Sequence, residues 1–69
     1  MSNGLASALE QSAKIIRDHQ PDMTTARRLI NDKMLEARRS QNDDPNKYLR
    51  NMEIGFEHAL NALYAALPK

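Results

Sequence analysis

From residue 45 to residue 67 the apolar positions fall at Leu49, Met52, Phe56, Leu60, Leu63 and Leu67, three or four residues apart. That is a helical period, and it predicts a helix over 45–67. Asp44-Pro45 reads as its start: an aspartate can accept from the free amides of a first turn, and proline fits the first helical position. Pro68 reads as its stop.

Two shorter patterns precede it. Leu5, Leu9, Ser12 and Ile16 form a narrow stripe with Ala13 beside it and Ala8 and Ile15 on its flank, which predicts a helix over 4–19 capped by Ser2 or Asn3. Glu10 and Lys14 stand four residues apart in the favourable order for a pair on its outer side, and Pro21 ends it. Met23, Ala26, Ile30, Met34 and Ala37, with Leu29 at the edge, predict a helix over 23–40 capped by Asp22 or Thr24. The polar linker 41–44 is short, which favours antiparallel neighbours. The expectation is one all-α domain over 1–69, a small three-helix bundle running up-down-up. A dimer of helical hairpins with the first helix crossing over is the competing arrangement.

Composition agrees with helices. The chain has eight Leu, four Ile, four Met and nine Ala but no Val and no Trp, so the β-branched and aromatic residues that strands favour are scarce. It also limits the core. Nine of the hydrophobic residues are Ala, and with no Cys there is no disulfide to supplement the burial of a 69-residue chain. Chains in that position often gain burial by association, so a homodimer or a tight complex with another protein is expected, the homodimer first.

Two apolar residues stand on polar faces. Ile54 falls among Arg50, Asn51, Glu57, His58 and Asn61, and Leu35 among Arg28, Asn31, Asp32 and Arg39. Each reads as an anchor for a partner, framed by charges that set register. Gly55, Ala59, Ala62 and Ala66 form a second row on the third helix, where small side chains permit a close helix contact with the first helix or with a symmetry mate. These six residues are the expected partner interface.

The net charge is +1, with residues 21–40 at +2. Arg27, Arg28, Arg38 and Arg39 could meet phosphates, which gives a second reading as a nucleic-acid-binding dimer using the basic second helix. Against it, the arginines point in several directions, Asp32 and Glu36 interrupt the field, and no aromatic is interleaved for stacking. The two histidines, His19 and His58, lack a second ligand at helical spacing, and no phosphate loop or nucleophile–base pair is legible. No cofactor, metal or catalytic residue is expected. No apolar run approaches the ~20 residues that cross a bilayer, and no signal peptide is legible, so a cytoplasmic protein is expected. The first reading is therefore a helical interaction module that regulates or inhibits a partner protein.

Overall fold

The computed structural model describes residues 3–66, which form three helices and no strand: α1 (Gly4–His19), α2 (Met23–Asp43) and α3 (Lys47–Ala66). Ser2, Leu67 and Pro68, read above as a cap, a core position and a stop, lie outside the described residues. The molecule measures 36 × 24 × 18 Å. It is a small all-helical bundle.

Local chemistry sets the ends of the helices. Asn3 caps α1, its side-chain oxygen accepting from the Leu5 amide at 2.9 Å. Asp22 caps α2 by accepting from the Thr25 amide at 3.0 Å, and the Thr25 hydroxyl donates to the same carboxylate. The α2–α3 reversal differs from expectation. α2 continues through Gln41, Asn42 and Asp43, taking up most of the polar linker, and the Asp44 amide donates to the Ser40 carbonyl to close it. Asp44 therefore finishes one helix instead of starting the next. Asn46 takes over as the cap of α3, accepting from the Leu49 amide at 2.8 Å, while its own amide group donates to the Asp44 carboxylate at 2.9 Å. Pro45 sits in the reversal and not in the first turn.

α3 lies between the other two helices, and α1 and α2 touch each other far less than either touches α3. Gly4 lies against Tyr48, Asn51 and Met52, and Gly55 against Leu5 and Ala8, so α1 runs parallel to α3. Arg27 reaches Tyr64 and Arg38 reaches Glu53, so α2 runs antiparallel to it. The core gathers on α3: Phe56, Leu60, Leu63 and Ala59 are buried against Ile30 of α2 and Ala8 of α1. Met23, Met34, Ile15, Ile16 and Met52 close its edges, half-buried. The α2 face follows its pattern, with Ala26, Ile30 and Ala37 buried.

α1 buries the stripe expected of it only in part: Ser12 is buried and Leu5 and Ile16 are half-buried, but the inward face is turned toward smaller residues. Leu9 is 41% exposed, and the buried line is Gly4, Ala8 and Ser12, at intervals of four. The cause is the closeness of α1 to α3. A Cβ added to Gly55 would stand 2.7 Å from the Ala8 methyl and 2.9 Å from the Leu5 carbonyl oxygen, and one added to Gly4 would run into the Tyr48 carbonyl. Helices this close admit only small residues between them, whereas a leucine line would hold them at the usual 8–10 Å. α1 is thus turned so that its small residues face inward. Ser12, 2% exposed, remains satisfied because its hydroxyl donates to the Ala8 carbonyl at 2.8 Å.

Candidate functional site

The residues singled out in the sequence fall mainly on two outer faces, one on the α2–α3 pair and one on the α1–α3 pair.

On the first, α2 and α3 share one register. Eleven residues along α2 from Arg27 to Arg38 match eleven back along α3 from Tyr64 to Glu53. Leu35 is then level with Phe56, and Ile54 lies two residues away, about 3 Å along the axis. At about 100° per residue both side chains turn from the core toward the side where Arg38 and Glu53 meet. Leu35 is 36% and Ile54 38% exposed. Between them Arg38 Nε donates to a Glu53 carboxylate oxygen at 2.8 Å, and Gln41 Nε2 donates to the other oxygen at 2.6 Å. The hydrogen bond from Arg38, then that from Gln41, hold the Glu53 carboxyl below its ordinary pKa, against a smaller opposing effect of burial.

The four arginines of the basic helix are divided by their surroundings. Arg38 is engaged by Glu53, and Arg39 stands half a turn of the helix from Ile30, facing away from the core. Arg27 and Arg28 lie at the other end of the same face. There, with Asn31 of α2 and Leu60 and Tyr64 of α3, they line a cleft of about 240 Å³. Arg27 Nη1 donates to the Tyr64 hydroxyl at 2.6 Å, and its guanidinium carbon lies 5.4 Å from the ring centroid. An aromatic does therefore stand beside the basic residues. It comes from α3, 37 positions further along the chain, so interleaving within α2 could not reveal it. At the near end of α2 the Asp22 carboxyl is held below its ordinary pKa, first by the Thr25 hydroxyl and amide, then by the positive fields of His19 and Arg28.

The second face is apolar. Leu9, Ala13 and Ile16 of α1 and Ala59, Ala62 and Leu63 of α3 line a shallow cleft of about 310 Å³. The small-residue row of α3 is split here. Gly55 and Ala59 are buried, with Gly55 against α1 itself, whereas Ala62 and Ala66 are exposed. The close helix contact that Gly55 makes is thus within the chain. Its counterpart is the Gly4-Ala8-Ser12 line, of which the sequence pattern put Ser12 in the stripe and Ala8 on its flank but left out Gly4, although glycine followed by alanine four residues on occurs in both helices.

The expected Glu10–Lys14 pair is replaced by Lys14–Asp18 at 3.7 Å, well exposed on both sides. Glu10 and Arg17 make no ion pair among the described residues. No three of His, Cys, Asp and Glu among the described residues are grouped so as to hold a metal ion. No described helix is long and apolar enough to cross a membrane. No family model, curated protein or solved structure matches the chain.

Proposed function

We propose that the protein is a helical interaction module that regulates or inhibits a partner protein by covering a surface on it with the outer face of α2 and α3. One observation carries the reading: Leu35 and Ile54, on different helices, are both exposed and, by the α2–α3 register, stand within about 3 Å of one level. A single exposed apolar residue is ordinary. Two at nearly one height, with the Arg38–Glu53 ion pair beside them, have the make-up of an interface centre, in which apolar anchors bind and charges fix orientation. Affinity capture with the parent chain and with Leu35→Asp/Ile54→Asp tests it. A partner held by the parent and released by the double variant, at unchanged helicity and insensitive to added salt, supports the reading. A partner held equally by both refutes it.

A second reading, nucleic-acid binding through the basic helix, is favoured by the Arg27–Arg28–Tyr64 cleft, where a base could stack beside two guanidinium groups. It is weakened by Arg38, whose charge is already matched by Glu53. Salt separates the two readings, because phosphate-driven binding falls steeply as salt is added.

A further inference from the structure

The apolar α1–α3 cleft lies away from the Leu35–Ile54 face and takes no part in the reading above. Its rim carries Leu9, a large apolar side chain that the core pattern calls for and the fold leaves 41% exposed. We infer that this cleft is covered by a second copy of the chain, with the two α1 helices antiparallel about a twofold axis that passes beside Ala13. This rests on, and gives a surface to, the self-association expected of a chain with so thin a core.

The sequence of the exposed α1 face fits that symmetry. Leu9 and Ile16 lie four residues before and three after Ala13, and Glu10 and Arg17 three before and four after. With the axis beside Ala13, Leu9 falls one residue, about 1.5 Å along the helix, from the level of Ile16 of the second copy, and Glu10 falls one residue from the level of Arg17 of the second copy, close enough for each contact to form and each occurring twice. A twofold interface requires such self-complementarity. At about 100° per residue Glu10 and Arg17 occupy the same flank of α1, outside the Leu9–Ile16 row. They belong on the rim, where charges set register. Both are also available, since Lys14 is paired with Asp18 and neither Glu10 nor Arg17 has an ion partner among the described residues.

The height of the axis agrees on α3 as well. Gly55 packs on Ala8, and five residues on from each, Ala13 is level with Leu60. The exposed methyl of Ala62 is then within about 3 Å of the axis, measured along the helix. Alanines at the centre of both helices let the facing backbones approach, while Leu9 and Ile16 fill the cleft on either side.

Sedimentation equilibrium of the full chain, with helicity checked by circular dichroism, is the test. The parent should sediment at twice its 7.9 kDa mass at micromolar concentration. Leu9→Asp should weaken the dimer by more than about tenfold, because it places a charge against an apolar side chain. Glu10→Arg and Arg17→Glu should each weaken it by about threefold to tenfold, two rim pairs being affected at once. The double variant Glu10→Arg/Arg17→Glu should return to within about twofold of the parent. Ile54→Asp, on the other face, should leave the dimer intact. A parent that sediments as a 7.9 kDa monomer overturns the inference and leaves the Leu35–Ile54 docking face standing for a heterologous partner. A dimer that ignores Leu9→Asp, that breaks with Ile54→Asp, or that the double swap does not restore also overturns it.

Discussion

Gly55 presents its bare Cα to the methyl of Ala8, so closely that a Cβ there would stand 2.7 Å away. The Leu5 carbonyl oxygen would be 2.9 Å from the same atom, and because it belongs to the backbone it cannot rotate aside. Replacing an ordinary mid-helix glycine by alanine stabilises a helix by about 1 kcal/mol. Here overpacking, at about 1–3 kcal/mol, opposes the gain. Gly55→Ala should therefore destabilise by about 1 kcal/mol. In an Ala8→Gly background it should cost less, by about 0.5 kcal/mol or more, since one of the two obstructions is gone. Urea denaturation of the four chains in this cycle measures the coupling. A stabilising Gly55→Ala would mean that α1 and α3 are not this close.

Phe56 is 1% exposed at the centre of the core, between Ile30 and the α1 line. Truncation to alanine should cost about 3–5 kcal/mol. That approaches the whole stability expected of a chain this small. Phe56→Leu keeps most of the volume and should cost less than half as much. Thermal melts followed at 222 nm rank the three.

The depressed carboxyl of Glu53 ties stability to pH. Its folded pKa lies below its unfolded value, so its contribution is fully present above the unfolded pKa and is lost as pH falls through the folded one. Glu53→Gln should lower the melting temperature at pH 7, and the gap to the parent should narrow progressively below pH ~4.5. The loss at pH 7 should be modest, because Arg38 is about half exposed and the pair is partly screened. A gap that is constant down to pH 2.5 would show that the carboxylate charge plays no part.

The α2–α3 reversal makes a prediction about caps. Asn46→Ala removes the acceptor for the Leu49 amide and should cost about 1 kcal/mol. Asp44→Ala leaves that bond in place and should cost less. Asn46→Asp retains an acceptor and should be nearly neutral. Chemical denaturation of the three variants would show the reverse order if Asp44 were the true cap.

Much of the fold was legible because two of the three helices are organised by large residues at a single helical period. The Ile30 face of α2 and the Phe56 face of α3 read directly, and both proved buried. α1 misled because its wheel carries two candidate faces. Leu5, Leu9 and Ile16 are more hydrophobic, Gly4 and Ala8 are smaller, and Ser12 lies where the two faces meet. Hydropathy chooses the first, but the distance between helix axes selects the second, and that distance depends on Gly55 in a different helix. The same limit hid Tyr64 beside Arg27: a pattern along one helix does not show what its antiparallel neighbour supplies. Leu35 and Ile54 could be singled out as misfits separately. That they stand within two residues of one height follows only from the α2–α3 register.

The order of the helices also matters for the chain's synthesis. α1 and α2 are made first, yet they have little to hold on to in each other, and both lie down on α3. Until α3 has left the ribosome, Ile30, Met34 and the small-residue line of α1 lack the helix that covers most of them. The first two helices then have only their small mutual contact, and their apolar faces stay open to holdase chaperones and proteases. When α3 emerges, α2 can close on it through a three-residue reversal, whereas α1 must return across the whole of α2. The hairpin should thus form first and α1 dock last, with the parallel pairing of Ala8 and Gly55 as the closing step.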